Sequence, residues 1–316
     1  MKRTTPTSLY RLYLIVIWLL CGVLLSLPGH AFAEDSPEIL VLNSDSSVEK
    51  YRETQEAFKA MIAQPVLEVD LGDEKWDITD IEDLLYDEDP DVIYCIGTKA
   101  YLFANKYAPK KIIVFSSVIN WRRLPITDQT YGISNEFHAA MELMQFRYVF
   151  PDIQKIGVLY STKYTEEWFS NAQKAAKEME VNISGQSISN RKNAIPALKK
   201  LLPKIDAFWL ISDPEVMSAK EDLLNILEAC DAKNIPVFSY HETFANFGAV
   251  FTVSVDNPTI GGQAAGIIRE LLAGSPIEEH VQFPAGTWTV LNRKKVKEYG
   301  LQYNEDAIPT INVIIE

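Results

Sequence analysis

Apolar residues in this chain gather into short continuous runs, separated by longer stretches with helical spacing. The runs are EILVLN (38–43), VLEVDL (66–71), DVIYCIG (91–97), KIIVFSS (111–117), KIGVLYS (155–161), AFWLIS (207–212), IPVFSY (235–240) and AVFTVSV (249–255). They lack strict alternation, so they read as strands covered on both faces, as in a parallel sheet. Amphipathic stretches at 47–63, 98–108, 135–149, 164–180, 191–202, 216–232 and 258–273 predict helices between them. Strand–helix alternation at this spacing predicts βαβ units and an α/β fold with open, mostly parallel sheets. About four units precede residue 134 and about four follow, which predicts two Rossmann-like lobes, each with its own core. HVQFPAGTWTVLN and IPTINVIIE flank a short helix and read as return strands.

The first 33 residues differ from the rest. They carry Lys2, Arg3 and Arg11, no acid, an apolar run from Leu12 to Leu27, then Pro28, Gly29 and small residues at Ala31 and Ala33. This predicts a secretory signal cleaved after Ala33 and an exported, periplasmic protein. The competing reading is an uncleaved anchor, but the apolar run falls short of the ~20 residues that span a bilayer. A lipoprotein needs a small residue before Cys21, where Leu20 stands.

The chain has 316 residues with 43 Asp+Glu against 30 Lys+Arg, a net charge of −13. Without the leader, 27 basic residues face 43 acidic ones, a net of −16 over 283 residues. That balance excludes nucleic acid as the expected partner, since such binders need a basic face, and it does not suit anionic lipid. Cys95 and Cys230 each sit inside a regular segment and read as two buried thiols.

No catalytic set emerges, so no enzyme activity, metal or cofactor is expected. There is no nucleophile elbow, P-loop or dinucleotide fingerprint. His138, His241 and His280 lack ligand spacing. Gly261, Gly262 and Gly266 lie inside an apolar helix and read as small residues for close helix packing.

Polar residues do recur at the carboxyl ends of the strands: Gly97-Thr98, Ser116-Ser117, Tyr160-Ser161, Ser212-Asp213-Pro214, Ser239-Tyr240-His241 and Asp256-Asn257-Pro258. Ligands of open α/β sheets bind there, where helix N-termini offer free N–H groups. Each residue alone also reads as a helix N-cap. As a set, they predict a shared cleft.

With DPDVIYCIGTKA, KKIIVFSSV, YGIS, FPDIQKIGVLYS, KIDAFWLISDPEV, AKNIPVFSYHE, VSVDNPTIGGQAAGIIRELLAGSP and VQFPAGTWTVLN in this order, the chain resembles the periplasmic substrate-binding proteins of ABC importers, type I fold. It is most similar to the branch that includes tryptophan- and tyrosine-binding proteins, over roughly residues 38–305. The resemblance implies a two-lobe clamp with crossovers near 134, 256 and 284–287. One lobe then holds 34–133 plus 257–283, and the other 134–256 plus 284–316. It also implies ligand contacts from the strand-end loops: Asp45, Ser46, Gly97, Thr98, Ser116, Ser117, Tyr160, Ser161, Ser212, Asp213, Tyr240 and Asp256. In that reading the Gly97-Thr98 turn takes a carboxylate, Tyr160 and Tyr240 stack, and Asp45, Asp213 or Asp256 pairs with an ammonium. Family members usually carry a Gly-containing acidic loop after the fourth strand. Here VINWRRLPITDQ replaces it, so Trp121, Arg122 and Arg123 reshape the cleft rim or lie on plain surface. The implied function is a monomeric solute-binding protein that closes on a small polar ligand, an aromatic amino acid foremost, and delivers it to a membrane permease. The alternative is a ligand-sensing or ligand-free interaction protein that presents the same clamp to a membrane sensor.

Overall fold

The computed structural model describes residues 39–316, so the predicted leader lies outside it. In chain order the first elements are β1 (Ile39–Asn43), α1 (Glu49–Met61), β2 (Val66–Asp70), α2 (Ile78–Asp87), β3 (Val92–Ile96), α3 (Thr98–Tyr107), β4 (Ile112–Val118) and β5 (Thr130–Ser134). Next come α4 (Ala139–Val149), β6 (Lys155–Ser161), α5 (Glu166–Glu178), β7 (Asn182–Ile188), α6 (Ala194–Leu201), β8 (Ala207–Leu210), α7 (Lys220–Asp231), β9 (Val237–Ser239), α8 (Thr243–Asn246) and β10 (Phe251–Val255). The last are α9 (Asn257–Leu272), β11 (Val281–Gln282), β12 (Thr287–Asn292), α10 (Arg293–Tyr299) and β13 (Val313–Ile315).

The strands form two sheets, in the orders β11-β5-β4-β3-β1-β2 and β13-β12-β10-β9-β8-β6-β7. Pairing is parallel throughout except between β10 and β12, where Phe251 faces Leu291 and Val255 faces Thr287. The α/β fold with two mostly parallel sheets is thus as the sequence predicts. Each sheet is covered on both faces. In the first, Ile39, Val41, Val92 and Tyr94 pack with Phe58 of α1 and Ile260, Ala264 and Ile268 of α9. Leu40, Leu42, Ile93 and Cys95 pack on the other face with α2 and α3. In the second sheet, Trp209, Phe238 and Phe251 meet Phe146 of α4, while Phe208, Leu210 and Val237 meet α6 and α7. Every one of these strand residues is at most 2% exposed. At about 1.5–3 kcal/mol per large buried side chain, these layers supply the main stabilisation. Cys95 and Cys230 are free and buried in separate layers, and burial pushes both thiols up.

The glycines of α9 are not equivalent. A Cβ on Gly261 would overlap the carbonyl oxygen of Thr54 and lie 2.9 Å from the Phe58 nitrogen. Only a glycine permits α9 to approach α1 so closely. Gly262 meets nothing nearer than 3.8 Å, and Gly266 nothing within 4 Å, so close packing rests on one glycine of the three.

The structure also adds and trims elements. α2 is capped by a reciprocal pair: Asp80 N–H donates to Asp77 Oδ1 at 2.9 Å, and Asp77 N–H to Asp80 Oδ2 at 3.3 Å. β9 is shorter than IPVFSY because Pro236 has no N–H for the ladder. β8 stops at Leu210, ahead of the turn built around Asp213 and Pro214. Among the described residues no helix is long and apolar enough to cross a membrane.

Candidate functional site

The connections between the two sheets run through 135–138, 256 and 283–286. The second and third are tied to each other. Asp256 N–H donates to Gly286 O at 3.2 Å. Gln263 of α9 donates to Phe283 O at 3.0 Å and accepts from Ala285 N–H at 3.1 Å.

On the first sheet, Gly97 (φ +87°) begins the turn into α3, and a Cβ there would lie 2.5 Å from Ser44 Oγ and 3.0 Å from the Tyr51 ring. Ser44 Oγ accepts the Ala100 N–H at 3.0 Å, so a hydroxyl from the end of β1 caps α3. Thr98 is half-buried, and its Oγ1 accepts the Ile119 N–H at 3.4 Å. Asp45 turns back on its own loop and accepts from the Ser47 N–H (3.0 Å) and hydroxyl (2.5 Å). The Ser47 hydroxyl bond holds the Asp45 carboxyl below its ordinary value. Ser46 gives its N–H and hydroxyl to Asp70. Ser116 is buried with its hydroxyl 2.7 Å from Tyr94 OH. Ser117 is different: it has φ +55°, sits where the β4–β5 register shifts, is 1% exposed, and its hydroxyl has no partner among the described residues.

On the second sheet, Asp213 is 1% exposed and ties three segments together. Its Oδ2 accepts from Ser161 N–H and Ser161 Oγ, both at 2.8 Å, and from Thr165 Oγ1, while Oδ1 accepts from Glu215 N–H at 2.8 Å. Tyr160 stacks on Phe169 with ring centres 4.2 Å apart. Burial pushes the Tyr240 hydroxyl up to about 12, an effect that a hydrogen bond to Ser212 partly offsets. Asp256 caps α9 by accepting from Thr259 N–H at 3.1 Å and from the Thr259 hydroxyl. The predicted site residues therefore all lie at or next to strand ends, yet most of their polar atoms are committed to neighbouring loops.

Several charged or polar residues near these strand ends were not among the expected ligand contacts. Burial lowers the Lys50 ammonium, and both burial and Lys50 lower His241. Burial raises Glu242, with Glu53 and Glu49 of α1 adding to it. Asn257 Nδ2 donates to Glu53 Oε2 at 3.2 Å. The loop after β4 reaches across: Arg122 Nη1 lies 3.2 Å from Glu136 Oε2, and the Arg123 guanidinium lies 3.7 Å from the Tyr164 ring centre. The sequence marked 121–123 as rim or plain surface. The Arg123–Tyr164 contact shows that this loop is engaged with the protein and is not plain surface. His241 Nδ1 lies 2.9 Å from the Thr243 hydroxyl, and among the described residues no His/Cys/Asp/Glu group could hold a metal.

Three solved structures share this architecture. An ABC domain in complex with L-Trp from Streptococcus pneumoniae aligns at 16% identity and TM-score 0.57, covering 88% of this chain and 100% of its own. CD0873 from Clostridium difficile, a substrate binding protein with adhesive properties in a ligand-free, open state, aligns at 14% identity and TM-score 0.69, covering 88% and 99%. A conserved domain protein from Vibrio cholerae aligns at 16% identity and TM-score 0.58, again covering 88% and 99%. Among curated proteins no relative matches. The match that reaches beyond fold is in sequence, to the family described as ABC transporter substrate binding protein, over residues 40–310. With most of its length matched, the chain belongs to that family.

Proposed function

We propose that this protein is an exported solute-binding protein that closes two lobes on a small polar ligand, an aromatic amino acid foremost, and hands it to a membrane permease. The observation that carries this reading is a pair of mostly parallel sheets connected three times by the chain, with the crossings at 256 and 283–286 hydrogen-bonded to each other. The lobes in this reading are 34–133 plus 257–283 and 134–256 plus 284–316, flexing at the crossings near 134, 256 and 284–287. Family membership supports the transport role, and the L-Trp held by a protein of the same fold makes aromatic amino acids the first ligands to test. Half-buried Tyr51 and Tyr240 beside this region offer ring faces for such a side chain.

The test is thermal unfolding of residues 34–316 with the twenty amino acids, purines and sugars. A ligand at 100 times its Kd stabilises by about 2.7 kcal/mol and raises Tm by several degrees. A flat response to every compound overturns the reading.

One observation favours a second reading, an interaction protein that works without ligand. Arg122–Glu136 and Arg123–Tyr164 already join the rims by protein contacts alone. A flat ligand screen together with capture by a membrane sensor domain is the outcome that selects it.

A further inference from the structure

The inner face of α4 is Ala139, Glu142, Leu143, Phe146 and Val149, an apolar stripe interrupted by one acid. Glu142 is 6% exposed. Its position follows from its neighbours. Phe146 lies 4.8 Å from Phe238 and 5.1 Å from Trp209, ring centre to ring centre. Stepping back four residues on a helix moves about 6 Å, and stepping forward two on a strand moves about 6.6 Å. α4 runs against the strands beneath it, because a short turn joins its end to the start of β6. Glu142 therefore stands over the carboxyl edge of the second sheet, level with Tyr240. Glu136 lies close enough to raise both Glu142 and Tyr240, and it is held in turn by Arg122 of the first lobe's loop.

The aspartates that the sequence offered for a ligand's ammonium already hold donors from their own loops, whereas Glu142 does not. Its carboxyl makes no hydrogen bond or ion pair among the described residues. The residue is largely buried but its carboxyl oxygens are not sealed from solvent, so the group is desolvated, unpaired and reachable by a cation. Burial pushes it up to about 8, and Glu136 adds to this. Arg122 is committed to Glu136, and among the described residues no cation forms an ion pair with Glu142. We propose that Glu142 is the specificity-determining carboxylate of the cleft and pairs with the ammonium group of an amine-bearing ligand, with the Tyr240 ring beside it. The proposal rests on the solute-binding reading above. It predicts discrimination against ligands that keep the side chain but lack the amine, because these leave the buried acid without a partner.

Calorimetry of residues 34–316 tests it, with L-tryptophan, L-phenylalanine and L-lysine as probes and indole-3-propionate and 3-phenylpropionate as amine-free controls. The expected result is at least 30-fold weaker binding of the amine ligand to Glu142→Gln, with binding of its amine-free analogue unchanged. At pH 7 the amine should also drive release of a proton from the wild-type protein, read as a dependence of the heat on buffer ionisation enthalpy, and this release should vanish in Glu142→Gln. Circular dichroism and Tm of the variant separate loss of binding from loss of fold. If a probe amine binds Glu142→Gln as tightly as wild type, or binds wild type without proton release, the Glu142 assignment is overturned and the solute-binding reading stands. If wild type binds the amine-free analogues but no amine, the assignment again falls alone. Binding of none of the five overturns the assignment and counts against an aromatic amino acid as the ligand.

Discussion

Asp213 takes both the backbone N–H and the hydroxyl of Ser161 on one oxygen, each at 2.8 Å. This fastens the end of β6 to the turn after β8 inside a buried site. Asp213→Ala removes the acceptor for two N–H groups and two hydroxyls at once. We expect a loss of about 3–5 kcal/mol in urea unfolding, the usual outcome of stripping one side of a buried charged network. Asp213→Asn keeps one acceptor oxygen and should lose less. Loss of ligand response in Asp213→Ala thus reports on the loop before it reports on the ligand.

Gly261 and Gly266 lie five residues apart on one helix and should respond oppositely to alanine. At 261 the new methyl meets the α1 backbone, which cannot yield as a side-chain tip can. Gly261→Ala should destabilise by about 1–3 kcal/mol or more through overpacking. Gly266→Ala meets nothing and should gain up to about 1 kcal/mol of helix propensity. Parallel thermal melts of the two variants decide the matter, and equal shifts would contradict the close α1–α9 contact.

The buried Glu142 carboxyl makes stability depend on pH in a set direction. Its folded-state value, about 8, lies above the ordinary 4.5, so the folded state holds the proton over that interval while the unfolded chain has released it. Stability relative to Glu142→Gln is greatest below about pH 4.5, falls as pH rises toward 8 and levels off above. Chemical unfolding of both proteins at pH 5, 6.5 and 8 measures the difference. A difference that grows with pH refutes the burial of an unpaired acid.

Arg123 over Tyr164 joins the two halves through one exposed contact. Exposed cation–π pairs contribute about 0.5–1 kcal/mol. Arg123→Ala should leave Tm nearly unchanged but weaken an interlobe ligand about 2- to 5-fold by disfavouring the closed arrangement. Titration of a bound amino acid reads this directly, and unaltered affinity removes the loop from the closing mechanism.

Most of the fold was legible because buried parallel strands are written as unbroken apolar runs. β7 was not read, since NISGQSI lies at a sheet edge with alternating burial, and its Gly185 sits under the Phe169 ring. α2 was not read although Ile81, Leu84 and Leu85 keep helical spacing, because acids fill the positions around them. The site was legible as a location and less so as chemistry. Ser, Thr and Asp at strand ends look the same whether they cap a helix or meet a ligand, and only the hydrogen bonds separate the two. Glu142 shares helical spacing with Ala139, Phe146 and Val149, but an acid among apolar residues reads as a solvated position until its burial is seen.

The distant return of the chain to the first sheet sets an order of assembly. β1 to β5 are complete by residue 134, yet the face that α1 only partly covers is not closed until α9 is made, and the sheet edge not until β11, some 120 to 150 residues later. The second sheet likewise waits for β12 and β13. The first half therefore cannot close its core before α9 emerges, nor the second before β12 does, so the early strands of each wait on segments made far downstream.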